Sequence, residues 1–263
     1  MKKIVISLIV IACYSCATVP LTGRRQLNLI GDTEVNQAAA LSYNQLLSDP
    51  KTRVINTGND AQRVKAVGSR LAMAVESYLK NNGYGNQYSF QWEFNLIQSN
   101  QVNAWCMPGG KVAVYSGLLP LAQTDGALAT VLAHEIGHAV ARHSAERISQ
   151  QLAVQGAGAA VDAASGNQSQ TTQSVVNGLY GVGGQLLLLK YSRNQESEAD
   201  HLGLIFMSMA GYDPHAAVSF WQTMMAQDKG GSSPELLSTH PADATRIADI
   251  QKRIPEAMKY YKR

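Results

Sequence analysis

The sequence predicts an α+β domain, mostly helical, with one small sheet placed just before its most informative helix. Three observations lead there. Apolar residues recur at three- and four-residue spacing over most of the chain, and the spacing drops to two between Tyr88 and Phe94. The run Thr124 to Arg147 then returns to helical spacing and carries His134-Glu-Ile-Gly-His138. At 263 residues and 45% hydrophobic composition, the chain can bury the core of one such domain. A formal charge of +3 is too small to point to nucleic acid, and no basic run has aromatics threaded through it. No repeat period recurs, which argues against an attached repeat array.

The amino terminus reads as an export signal: Lys2 and Lys3 precede an apolar run, Ile4 to Ala12, that is too short to cross a bilayer. The run ends in Cys13 and Cys16, and a small residue before a cysteine at such a place is the pattern of lipoprotein processing, which acylates the new terminal Cys. Val10-Ile-Ala-Cys13 has the usual local pattern, whereas Cys16, preceded by Ser15, leaves a less truncated signal. The expected organisation is a signal segment over 1–16, a polar tether over 17–28 and one domain over 29–263. Processing at Cys16 discards Cys13 and leaves Cys106 as the only other cysteine. An intrachain disulfide framework and a cysteine-built metal site are then both excluded by count.

A first helix is expected from Asp32 or Thr33 to Leu47, stopped by Asp49-Pro50. A second starts near Asp60 and places Val64, Val67, Leu71, Val75 and Leu79 on one stripe until Asn82-Gly83. Tyr88, Phe90, Trp92 and Phe94 then alternate with polar residues, as in a strand with one buried face. Gln98 to Gln101 turns the chain, Val102 to Met107 makes a second extended segment, Pro108-Gly-Gly110 turns it again, and Lys111 to Tyr115 makes a third. A free edge of such a sheet can align an extended peptide by main-chain hydrogen bonds.

Thr124 or Asp125 can cap the next helix, in which Leu128, Val131, Leu132 and Ala139 recur at helical spacing. His134 and His138, four apart, fall on one face, where two imidazoles can grip one metal ion. Glu135 beside them can take a proton from a metal-activated water without being a ligand. HExxH fixes only three residues, so the chemistry needs a third ligand from elsewhere in the chain.

Ile148 to Ala164 and Val175 to Leu189 read as helices around a polar loop, Ser165 to Gln173. In Tyr191-Ser-Arg-Asn-Gln-Glu-Ser-Glu-Ala-Asp200, Glu196 and Asp200 share a helix face and Glu198 points elsewhere. Glu196 can be the third ligand, and Asp200 can accept a hydrogen bond from a ligand histidine. Asp213-Pro214 reads as the start of a helix that buries Phe220, Trp221, Met224 and Met225. Pro241 is expected to open a last helix carrying Arg246. His240 can stabilise an oxyanion, sit on the metal, or be a loop histidine bonded to backbone. His143, His201 and His215 have no informative spacing and read as structural or surface residues.

Three separated motifs, HEIGHxxxRH from His134 to His143, SRNQESEAD from Ser192 to Asp200 and THPADATRI from Thr239 to Ile247, together resemble the HtpX-like and CAAX-prenyl-endopeptidase family of zinc metallopeptidases. The segment Asn103-Ala-Trp-Cys-Met-Pro-Gly-Gly110 is similar to the family's strand before the active helix. Cys16-Ala-Thr-Val-Pro-Leu-Thr-Gly-Arg-Arg-Gln26 resembles the start of its mature lipoproteins, which favours Cys16 as the acylated residue. The resemblance implies a gluzincin fold whose small sheet has its edge strand before the HExxH helix. It implies one zinc ion per chain on His134, His138 and Glu196, with Glu135 as general base and Asp200 orienting a ligand. His240 and Arg246 match a late pair at the active site, where the histidine either assists catalysis or caps the zinc at rest. Asn103, Ala104 and Trp105 are the expected substrate-binding strand. The expected function is hydrolysis of unfolded or misassembled cell-envelope proteins by a protein lipid-anchored to the outer membrane and facing the periplasm. A zinc-bound holding protein with a capped site is the alternative. The chain lacks the transmembrane helices and the helical-repeat domain of other members, so prenylated substrates are not expected.

Overall fold

The computed structural model describes residues 16–164, 191–228 and 234–261. Helix α1 runs over Asp32–Ser48 and α2 over Asn59–Asn81, ending at the turns the sequence marks. The stripe Val64, Val67, Leu71, Val75 and Leu79 is buried against the rest of the domain. Helix α3, Asp125–Val140, is almost wholly buried and packs on α2, on α5 (Arg193–Met209) and on α6 (Ala216–Asp228). Helix α4, His143–Ala164, follows α3 after a short break. A short helix α7, Glu235–Thr239, and a last helix α8, Ala244–Ala257, complete the described helices. None of them is long and apolar enough to cross a membrane.

The principal sheet has four strands in the order β3 (Val54–Ile55), β4 (Glu93–Ile97), β6 (Lys111–Tyr115), β5 (Ala104–Met107). Strands β4 and β6 are parallel and the other pairs antiparallel. The sheet therefore has β3 at one edge and β5 at the other, β5 being one strand earlier in the chain than β6, which leads into α3. Its outer side pairs with no strand among the described residues, and its inner register is fixed by Trp105 opposite Ala113.

Several boundaries differ from the sequence reading. The alternation from Tyr88 to Trp92 is real, but the strand begins only at Glu93. Beyond that point its neighbour is the Pro108–Gly110 turn, so only Gln91 and Glu93 find backbone acceptors there, on Gly109 and Gly110. The aromatic rings are aligned instead by stacking on one another, at 5.7, 4.4 and 6.1 Å between centroids from Tyr88 through Phe90 and Trp92 to Phe94. Strand β3 was not expected, because two residues are too short to show a period. Helix α6 starts at Ala216, after a turn that Asp213 closes by accepting from the His215 N–H. Helix α8 starts at Ala244, where Asp243 caps the Arg246 N–H, so Pro241 lies outside it. The expected helix Val175 to Leu189 and loop Ser165 to Gln173 lie outside the described residues.

The segment 17–28, expected as a polar tether, is packed on the domain. Strands β1 (Cys16–Thr18) and β2 (Arg25–Leu27) form an antiparallel ribbon around a turn in which Leu21 and Gly23 have φ of +72° and +68°. Val19 is fully buried, and Arg24 reaches carboxylates on α4 and α5. The polar residues that suggested a solvated tether face partners supplied by distant parts of the chain.

Candidate metal centre

Thr124 caps α3 by accepting from the Ala127 N–H, which fixes the helix phase and puts His134 and His138 one turn apart on one buried face. Across from them, Ser192 and Gln195 form a reciprocal capping box that starts α5 and places Glu196 in its first turn. The two helices approach closely because both carry glycine at the contact. A Cβ on Gly137 would lie 2.7 Å from the Ala199 carbonyl oxygen, and one on Gly203 would lie 3.0 Å from the His134 nitrogen. His240, at the end of α7, supplies a third imidazole.

One donor atom from each of His134, His138, Glu196 and His240 lies within 4.8 Å of the others. The Nε2 atoms of His134 and His138 are 3.1 Å apart, His240 Nδ1 is 3.2 Å from His134 Nε2, and His240 Nδ1 is 2.9 Å from Glu196 Oε1. Glu196 oxygens lie 3.4 Å from each of the two α3 imidazoles. Ligands about 2.1 Å from one tetrahedral ion are about 3.4 Å from each other, so the set has the dimensions of a metal site. Glu196 Oε2 is buried without a hydrogen-bond partner and lies 3.4 Å from both His134 Nε2 and Arg246 Nη1. The residues present therefore fit a divalent metal ion.

The charges around the group agree. Burial pushes the Glu196 carboxyl up, but the three histidines outweigh it and hold it well below the ordinary carboxylate range. Burial drives His138 well below the usual imidazole value, which leaves it neutral and able to ligate. At His134 burial is outweighed by Asp200 and Glu196, which push its pKa up to about 9, so a cation binding there displaces a proton. His134 Nδ1 lies 2.8 Å from Asp200 Oδ1, as the shared face of Glu196 and Asp200 suggested.

Glu135 is buried beside the cluster, and burial foremost raises its carboxyl. Its Oε1 has no hydrogen-bond partner and lies 3.4 Å from His240 Nε2. A cavity joins Glu135 and His240 to Asn103, Ala104 and Trp105 at the edge of β5. The sequence-read residues thus come together in one place, Arg246 among them. It donates to Asp200, to the His240 carbonyl at 3.2 Å and to the Pro241 carbonyl at 3.0 Å, its Nη1 lies 3.4 Å from Glu196 Oε2, and its guanidinium lies 3.6 Å from the Trp221 ring centroid. It braces Asp200 and the His240 segment against the ligand set.

His143 is the residue the sequence reading missed. It is fully buried, its Nδ1 lies 2.7 Å from His138 Nδ1, and its Nε2 lies 3.0 Å from Glu198 Oε2. Spacing in one helix could not find it, because Arg142, with φ of +55°, breaks α3 from α4 and folds His143 back toward the histidine five residues before it. Glu198 does point away from the cluster, toward His143. Tyr191, also not singled out, stacks on the His138 ring at 4.0 Å. His201 and His215 are engaged with Glu256 and Asp213 away from the cluster.

Residues 59–254 match the model of Peptidase family M48. The chain is 33% identical over 240 residues to mitochondrial metalloendopeptidase OMA1 of Schizosaccharomyces pombe, covering 91% of this chain and 66% of that protein. It is 31% identical over 201 residues to the metalloprotease YcaL of Escherichia coli, covering 76% of this chain and 75% of that protein. It is 30% identical over 233 residues to the beta-barrel assembly-enhancing protease of Yersinia pestis, covering 85% of this chain and 43% of that protein. The chain thus spans just under two thirds of the first of these relatives and less than half of the third. The family resemblance carried by the HEIGH, SRNQESEAD and THPADATRI motifs is borne out by a match that runs across all three, and the chain belongs to peptidase family M48.

Proposed function

We propose that this chain is a zinc-dependent endopeptidase acting on extended segments of unfolded or misassembled cell-envelope proteins. The observation that carries it is the buried Glu135 carboxylate, its Oε1 without a hydrogen bond, which follows the ligand His134 in the chain and lines one cavity with His240 and the edge of β5. Zinc bound by His134, His138 and Glu196 would supply Lewis acidity, acidifying a water and polarising a peptide carbonyl. Glu135, made more basic by burial, takes the proton of the attacking water and returns it to the departing amine nitrogen. Asp200 holds the His134 ring by its Nδ1, and Arg246 holds Asp200. Asn103, Ala104 and Trp105 offer main-chain groups to an extended substrate. His240 Nε2 is the group nearest Glu135 Oε1 that can face a developing oxyanion.

The location rests on the sequence: a short apolar run ending in a lipoprotein-type cysteine supports an acyl anchor at Cys16 and an outer-membrane position facing the periplasm. The bacterial relative named for β-barrel assembly supports envelope clients. A second reading is favoured by one distance, the 2.9 Å between His240 Nδ1 and Glu196 Oε1. There His240 completes the ligand set in a resting form, and the protein holds clients rather than cleaving them until His240 withdraws.

Cleavage of casein by the zinc-loaded protein, set beside Glu135→Gln, tests the proposal. Activity that falls by at least about a thousandfold in the variant while bound zinc is unchanged is the expected result. Equal activity in both proteins would overturn it. Zinc binding with no cleavage by either would favour the holding form.

A further inference from the structure

We propose that Arg24, in the amino-terminal ribbon, is a positioning residue for the metal centre, acting on His138 through Glu198 and His143. This inference rests on the zinc reading above. His138 turns its Nε2 to the donor set, so its Nδ1 must carry the proton and donate it to His143 Nδ1 at 2.7 Å. His143 then has its own proton on Nε2, which it donates to Glu198 Oε2 at 3.0 Å. The direction of the whole chain is thereby fixed, and it ends on a carboxylate that must itself be held.

Arg24 and Thr22 hold it. Arg24 Nε donates to Glu198 Oε2 at 2.7 Å, and the Thr22 hydroxyl donates to Glu198 Oε1. The far side of the same guanidinium grips both oxygens of Glu146 at 2.7 and 3.0 Å, and Gln195 donates to Glu146 at 2.8 Å from the first turn of α5. One arginine therefore links the α4 and α5 carboxylates that flank the ligand helix. The other ligand histidine has the same kind of support, His134 to Asp200 to Arg246, supplied from the last helix. The two arms differ in origin: Arg24 lies outside residues 59–254, the segment that matches the family. A ligand histidine released from such support loses its tautomer and ring orientation, with a cost of about 10- to 100-fold in metal affinity.

The test uses the full chain, with zinc affinity measured by chelator competition and the visible spectrum of the cobalt-substituted protein as the report on coordination geometry. Arg24→Met and His143→Leu are compared with Val19→Ala, which removes buried packing from the same ribbon without touching the polar chain. The proposal expects Arg24→Met and His143→Leu to weaken zinc binding by about tenfold or more and to shift the cobalt spectrum, while Val19→Ala only lowers the melting temperature of the metal-free protein. Thr22→Val, a milder change at the same carboxylate, is expected to give a smaller shift of the same kind. The proposal is overturned if Arg24→Met lowers the melting temperature as Val19→Ala does yet keeps wild-type zinc affinity and cobalt spectrum. It is overturned equally if Arg24→Met fails to fold and Thr22→Val leaves both readouts unchanged. A wild-type protein that binds no zinc removes the metal reading itself, and this inference with it.

Discussion

Arg246 grips Asp200 by two prongs, Nε on Oδ2 and Nη2 on Oδ1, each at 2.8 Å, with both side chains buried. Burial works against both charges, so neither is tolerable without the other. Asp200→Ala should cost about 3 kcal/mol in the metal-free protein, read from urea unfolding, because it takes both short hydrogen bonds from a buried guanidinium and leaves it only the 3.4 Å pair with Glu196. The same change should weaken zinc binding by about 10- to 100-fold, since the His134 ring loses the acceptor on its Nδ1. Unchanged zinc affinity would detach Asp200 from the site.

Gly137, inside the HEIGH motif, sets how near α5 can come to α3. An added methyl would meet the Ala199 carbonyl oxygen at 2.7 Å, a backbone atom that cannot turn aside. Gly137→Ala should therefore destabilise the fold by about 1–3 kcal/mol and, by moving Glu196 away from the histidines, lower zinc affinity as well. Thermal melts with and without zinc separate the two effects: the metal-induced rise in Tm should shrink along with the metal-free Tm.

Zinc removal is itself a stability experiment. Binding at about a hundred times the dissociation constant contributes about 2.7 kcal/mol, which for a domain of this size is a rise in Tm of about 5–10 °C. A chelator should reverse the rise. The absence of any metal-dependent shift would contradict a site built from His134, His138 and Glu196.

His240 faces two ways, with its Nδ1 among the donor atoms and its Nε2 3.4 Å from Glu135 Oε1. His240→Ala should lower the initial rate of casein cleavage by about a hundredfold, because the developing oxyanion loses its donor. A rise in rate would instead assign His240 to capping the metal at rest.

The thiol of Cys106 is buried in β5, and burial pushes its pKa well up. It should resist alkylation at pH 8 in the folded protein and react once the protein is unfolded in urea, as peptide mass mapping would show. Ready labelling in the folded state would mean that the β5 edge opens in solution.

By itself the sequence determined the elements whose signals are local. The stripe from Val64 to Leu79, the His134 and His138 pair and the Glu196 and Asp200 pair follow from helical geometry, in which residues four apart share a face whatever the rest of the chain does. The motif resemblance added the ligand set, and those same side chains lie together with His240 in the structure. Only the tertiary structure decided what meets across large separations. It turned Arg246 to Asp200 and Trp221 and packed residues 17–28 onto α4 and α5. His143 was invisible for the same reason: its partners, His138 and Glu198, come within reach only because Arg142 adopts a left-handed conformation and α5 packs against α3. A buried polar group finds its partner by position in space, and periodicity along one element carries no record of that position.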